Sequence, residues 1–178
     1  MELRGERCTV RLWRPSDVQS LVRHANNINI AKHLRDRFPH PYTLSDARVF
    51  VRMMAGEAQP TNFAIDLSGE AVGAIGFSPG CDVERYSAEI GYWLSQSHWG
   101  RGIVTEALRM TTEYLFRRLN LLRVFAVPFA DNTASARVLE KAGYVREGVL
   151  RSSSVKFGVR KDQLLYAIVN ERWRPPAE

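Results

Sequence analysis

Two glycines, Gly100 and Gly102, stand one residue apart between a strand-like run ending at Leu94 and a long amphipathic stretch beginning near Ile103. No other segment limits the fold as tightly, because here the chain must turn from extended backbone directly into a helix. The first amides of a helix have no intrahelical acceptor and sit at the positive end of its dipole. The run Trp99-Gly100-Arg101-Gly102-Ile103-Val104-Thr105 can therefore curl several N–H groups around one anion, with Arg101 and the Thr105 hydroxyl adding contacts. Taken alone, the segment is either such a cradle or simply a tight turn, since Gly-x-Gly is a short motif. Two other phosphate motifs are excluded: no third glycine falls at dinucleotide-fold spacing, and no Gly-Lys-Ser/Thr follows.

Upstream of this turn, Cys8 to Trp13 alternates as a strand, with Val10 and Leu12 on one side. Pro15-Ser16-Asp17 opens a helix to about Ala25, with Ser16 as its N-cap. Residues 27–56 read as helix in two pieces broken at Phe38-Pro39-His40-Pro41-Tyr42, because proline lacks an N–H and restricts its predecessor. Thr43 or Ser45 caps the second piece. Phe63–Leu67 and Ala71–Phe77 form a hairpin about Ser68-Gly69, and Tyr86–Leu94 is a third strand. The helix from Ile103 to Leu119 carries an apolar stripe at Val104, Leu108, Thr111, Leu115 and Leu119, the spacing of a helix packed on a sheet. Arg123–Val127 is a short strand, and Thr133–Ala142 a helix stopped by Gly143. Val145–Val155 and Leu164–Val169 close an antiparallel pair. The expectation is one α/β domain over residues 1–178, with a mostly antiparallel sheet of about seven strands between helices.

At 178 residues, 45% hydrophobic and 25% charged, the chain has the make-up of an ordinary globular protein. No apolar run approaches the roughly 18 residues of a membrane span, and the charged N-terminus shows no secretory signal, so a cytoplasmic chain without membrane contact is expected. Cys8 and Cys81 lie far apart and outside any metal-type spacing; no metal site is expected. The net charge of +6 raises nucleic acid as a partner, but the basic residues are dispersed, and a positive field serves a phosphorylated ligand equally well. Nucleic acid is not the expected primary ligand. A homodimer, pairing through the C-terminal strands, stays open.

The runs Ala88-Glu89-Ile90-Gly91-Tyr92-Trp93-Leu94, Trp99-Gly100-Arg101-Gly102 and Thr105-Glu106-Ala107-Leu108 together resemble the GNAT N-acetyltransferase superfamily. The branch they most resemble contains the ribosomal-protein N-terminal acetyltransferases. Asp131-Asn132-Thr133-Ala134-Ser135 and Val138-Leu139-Glu140-Lys141-Ala142-Gly143-Tyr144 are similar to that branch's Asn-x-x-Ser and Glu-Lys-x-Gly-Phe signatures, and Arg146-Glu147-Gly148 and Asp162 to Tyr166 continue the likeness. The resemblance implies a GNAT-like fold with a splayed strand pair, acetyl-CoA as co-substrate, and transfer of acetyl to an amine. It departs from the family pattern in two places. Ser97 stands where the phosphate motif usually has Gln or Arg, and Leu139 where many relatives use a Tyr as the proton donor.

On this resemblance the cofactor enters where the Glu89 strand and the strand after Leu122 part. Its pantetheine amides then pair with backbone near Trp93 and Leu94, its pyrophosphate sits on residues 99–105, and Asn132 and Ser135 lie beside the arm. Gly91 marks a bulge or a close backbone approach. Glu89 is the candidate base, acting through water, since a carboxylate among apolar neighbours gains basicity by desolvation. Ser135 is the candidate proton donor to the departing thiolate. His33, Arg35, Phe38 and Tyr42, beside the proline-broken loop, frame the acceptor site. The acceptor is a protein N-terminal amine or a small amine such as an antibiotic, polyamine or amino acid. A non-catalytic acyl-CoA-binding module is the remaining alternative.

Overall fold

The computed structural model describes residues 2–175 and contains one eight-stranded sheet with helices on both faces. In chain order the elements are β1 (Glu2–Arg4), β2 (Thr9–Arg11), α1 (Val18–Ala25), α2 (Ile28–Ala31), α3 (Leu44–Ala55), β3 (Asn62–Leu67), β4 (Glu70–Pro79), β5 (Ser87–Leu94), α4 (Ile103–Arg118), β6 (Arg123–Ala126), α5 (Thr133–Lys141), β7 (Val145–Lys156) and β8 (Val159–Val169). The sheet order is β1-β2-β3-β4-β5-β6-β8-β7. Every neighbouring pair is antiparallel except β5–β6. The eighth strand, beyond the seven expected, is β1, a three-residue edge strand paired only with β2.

Turn chemistry fixes the hairpins. Ser68 and Gly69 between β3 and β4, and Phe157 and Gly158 between β7 and β8, all have positive φ, as two-residue hairpin loops require. Thr43 caps α3 in a capping box with Asp46, leaving Ser45 inside the helix. Ser16, expected to cap α1, does not. It lies in a 3₁₀ turn, Pro15–Asp17, whose closing contact is the Arg14 amide donating to the Asp17 carboxylate at 2.7 Å. The first helical piece expected in residues 27–56 shrinks to the single turn of α2.

Each face of the sheet buries its own apolar layer. On the α4–α5 side, Leu108 and Leu115 of α4 and Leu139 of α5 pack on Val10, Phe63, Ile75, Ile90 and Val124 of the sheet. On the α1–α3 side, Leu21 of α1 and Val51 of α3 pack with Trp13, Tyr42 and Ala74, with Phe38 and Trp93 at the margin. The buried face of α4 includes Ile103 and Ala107, whereas Leu119, expected to end the stripe, falls past the helix and is 42% exposed. A charged knot anchors α1 to the sheet: buried Arg11 grips Asp17 through both terminal nitrogens at 2.8 and 2.9 Å, and donates from Nε to Asp66 at 2.7 Å.

Candidate active site

The site starts from the one parallel pairing. β5 and β6 are joined at Ser87–Arg123, Ala88–Val124 and Glu89–Phe125, and there the pairing stops, although β5 runs on to Leu94. The chain leaving β6 stays with β8 instead: the Leu164 amide donates to the Pro128 carbonyl at 2.9 Å, and Gln163 Nε2 to the Val127 carbonyl at 2.9 Å. Past Glu89, the β6-facing edge of β5 is left without a strand.

That open edge leads into the glycine turn. Gly100 and Gly102 have φ of +77° and +75°, a region that costs a residue with a Cβ, and Gly102 is the N-cap of α4. Among the described residues, none accepts a hydrogen bond from the consecutive amides of Gly100 to Thr105; the Glu106 amide is the first to find a carbonyl, that of Gly102. The Trp99 indole donates to the Leu94 carbonyl at 2.8 Å, leaving the ring half exposed at the rim. The Leu94 carbonyl, one of the groups expected to meet an incoming amide, thus already accepts one hydrogen bond and has a second lone pair left. Ile103 contributes only its amide, since its side chain is core; Val104 packs beside it, and Thr105 and Arg101 face an open cleft.

This cleft, about 390 Å³, is lined by Arg7, Arg101, Gly102, Thr105, Glu106, Arg109 and Lys141. Arg7 comes from the β1–β2 connection and is placed by a tether. The Glu106 carboxylate, in the first turn of α4, accepts the amides of Glu6, Arg7 and Cys8 at 3.0, 2.8 and 3.1 Å. A Cβ built on Gly102 would lie 3.5 Å from Arg7 Nε. Arg7 is thus a cation beside the turn that no local motif signals. Ser97, at the position where the family carries Gln or Arg, turns the other way and contacts Ser95 Oγ and His98 Nδ1, each at 3.1 Å.

Alternation along β5 separates the remaining candidates onto its two faces. On the α1–α3 face, Glu89 pairs with Arg35, and Trp93 packs edge-on against Phe38 at 5.7 Å. Glu89 keeps 28% of its side-chain surface, so the apolar enclosure expected of it is absent. Phe38 also packs against Tyr42, the rings tilted by 42° with centroids 5.0 Å apart. Tyr42, at 5% exposure, is a core residue packed against Phe38 rather than part of an open rim; burial pushes its hydroxyl up to about 12. His33 has a buried Nδ1 without a partner, and desolvation pulls its pKa down, so the ring favours the neutral form. Asp131 lies in its field and is itself held low by the hydrogen bond from Lys161.

On the α4–α5 face, Asn132 caps α5 by accepting the Ser135 amide at 3.1 Å. The Ser135 hydroxyl lies 2.9 Å from the hydroxyl of Tyr92, a residue sequence reasoning passed over. Period-two counting could have found it: Tyr92 is three residues from Glu89, hence on the opposite face of the strand. Leu139, at the position where many relatives have a tyrosine, is fully buried.

Acceptor-free amides, two left-handed glycines and a cleft with four cationic side chains fit a pyrophosphate-bearing group. Known proteins agree. The sequence profile of the acetyltransferase (GNAT) domain matches residues 7–145, and the chain belongs to this family. It is 29% identical to N-acetyltransferase p20 of Bacillus licheniformis, over 94% of this chain and 96% of that one. It is 32% identical to the ribosomal-protein-serine acetyltransferase of Escherichia coli K12, over 59% of this chain and 58% of that one. The structure of Mycobacterium smegmatis RimJ in complex with a CoA disulfide superposes with a TM-score of 0.81 at 28% identity, covering 92% of this chain and 82% of that one. The protein is an acetyl-CoA-dependent N-acetyltransferase of the GNAT type. No helix of the described residues is long and apolar enough to cross a membrane.

Proposed function

We propose that this enzyme acetylates a protein N-terminal α-amine, with Glu89 as base through a water molecule and Ser135 as proton donor to the departing thiolate. The observation that carries the reading is that Glu89 and Ser135 flank the same strand, one on each face, at the point where β6 leaves β5. Acetyl-CoA supplies the activated acetyl group as a thioester. Gly100 to Thr105 would hold its pyrophosphate through backbone amides, with Arg7 and Arg101 adding charge. The open edge of β5 accommodates an extended, amide-bearing arm much as a sheet accepts a strand.

The acceptor must lose a proton before it attacks. An α-amine, with a pKa of about 7.7–8.0, gives it up far more readily than lysine at about 10.4. Glu89 stands on the side of β5 framed by Arg35 and Phe38, where an incoming chain end has an aromatic wall and a polar rim. The similarity to a ribosomal-protein-serine acetyltransferase supports the same class of acceptor.

The test is free-thiol release from acetyl-CoA with peptides differing in their first residue, set against a panel of small amines. A peptide N-terminus should give the highest kcat/KM. A small amine that outperforms every peptide overturns the reading.

A further inference from the structure

On the face of β5 opposite Glu89, Tyr92 is half-buried and its hydroxyl meets α5 at two atoms, Ser135 Oγ at 2.9 Å and the Ser135 carbonyl at 3.3 Å. Both residues lie beyond the last β5–β6 rung, beside the open edge. A serine in the first turns of a helix has a competing use for its proton, because the hydroxyl can turn back to a main-chain carbonyl one turn earlier. A serine so engaged has no proton to offer a ligand.

We propose that Tyr92 is a positioning residue: its phenol donates to Ser135 Oγ, leaving the serine proton free to point into the gap between β5 and β6. A phenol is ordinarily the stronger acid of the two hydroxyls, and of its two acceptors Ser135 Oγ, at 2.9 Å, is nearer than the Ser135 carbonyl at 3.3 Å. Burial of the hydroxyl raises the Tyr92 pKa, so the phenol keeps its proton through the working range. A hydroxyl that accepts one hydrogen bond also becomes a better donor of its own. The Ser135 amide, held by Asn132 at 3.1 Å, fixes the serine backbone, and Tyr92 fixes its side chain. Tyr144 cannot substitute, because its hydroxyl is bonded to Thr112 Oγ1 at 2.7 Å.

The inference rests on Ser135 serving the thiolate, and the experiment separates the two claims. The measurement is the thiol pKa of bound coenzyme A, read by thiolate ultraviolet absorbance against the free cofactor. It is made on the parent, Tyr92→Phe, Ser135→Ala and the double variant. A hydrogen bond to the thiolate depresses that pKa, and losing one charge-assisted bond raises it by about one pH unit. The expectation is a comparable rise in both single variants and no further rise in the double, with coenzyme A affinity within about twofold of the parent. If Ser135→Ala raises the value and Tyr92→Phe does not, Tyr92 is only a packing residue and the inference fails alone. If neither single variant moves it, the role assigned to Ser135 fails as well. Additive rises in the double variant also overturn the inference, because Tyr92 would then act without the serine. Thermal melting of Tyr92→Phe, which removes one hydroxyl and no carbon, checks that the fold is kept.

Discussion

Arg35 and Glu89 form an ion pair between the loop after α2 and the middle of β5, and it is a pair built to open. The Arg35 side chain is 61% exposed. A partner so wet contributes about 0–1 kcal/mol, little enough for an arriving amine or water to displace. Replacing Arg35 with Gln should therefore shift the melting temperature by no more than about 2–4 °C and lower kcat less than tenfold. Glu89→Gln should keep coenzyme A affinity and lower kcat by about 100-fold or more, the share of a general base. Steady-state kinetics of the two variants decide it, and equal losses would remove Glu89 from the role of base.

The cradle predicts two different failures. Gly102→Ala forces a Cβ into the left-handed region at a cost of about 1–2 kcal/mol and disturbs the amides of the turn, so it should weaken both stability and coenzyme A binding. Arg7→Ala leaves the backbone alone. It should raise the Kd for coenzyme A about fivefold, the size of one exposed phosphate contact near 1 kcal/mol, and flatten its dependence on salt. Titration calorimetry at two ionic strengths checks both. An unchanged Kd for Arg7→Ala would confine the phosphate site to main-chain groups and Arg101.

The knot of Arg11, Asp17 and Asp66 predicts a large effect far from the chemistry. Removing the arginine strands two buried carboxylates, and breaking such a group costs about 3–5 kcal/mol. Arg11→Met should lower the urea midpoint accordingly, whereas replacing all three residues with apolar ones of similar volume should recover most of the loss. A single-variant loss below about 1 kcal/mol would show that the knot is open to water.

Alkaline pH should weaken the fold through Cys8. Burial first, and then the Glu106 carboxylate, push its thiol from 9.0 up to about 12. The folded chain keeps this proton after the unfolded chain has lost it. Stability is therefore complete below about pH 9 and drains away as pH rises toward 12, by up to about 1.4 kcal/mol per pH unit. Cys8→Ala should flatten the decline in melting temperature between pH 9 and 11. Exposed Cys81 should react with iodoacetamide at pH 8 in the native protein while Cys8 is spared.

Much of this molecule is legible in its sequence wherever the signal is local and repeated. The helices α4 and α5, the Ser68-Gly69 hairpin turn and the left-handed glycines before α4 rest on periods, caps and φ requirements carried by neighbouring residues. The Phe157-Gly158 turn, by contrast, is not among the expected ones, and β8 begins at Val159, five residues before the expected Leu164. What escapes is set by tertiary partners. The Arg11 knot joins residues 6 and 55 positions apart. Arg7 reaches the cradle through a carboxylate 99 residues away. Glu89 has the expected strand but not the expected surroundings, because a loop residue 54 positions earlier supplies its neighbour. β1 is too short, with too little buried surface, to leave any periodic trace.

The helix α4 packs on β2 and β4 on one side of the β5–β6 seam and on β6 on the other. Across that seam the two halves of the sheet share only the rungs from Ser87 to Glu89, so α4 acts as the strut that keeps them together. The same helix carries at its amino end the glycine turn proposed to hold the donor. A substitution that shifts α4 along its axis thus loosens the scaffold and moves the anion cradle at once. Selection cannot trim one property of this helix without altering the other, and variants with altered donor preference are expected to arise at the cradle's rim rather than along the strut.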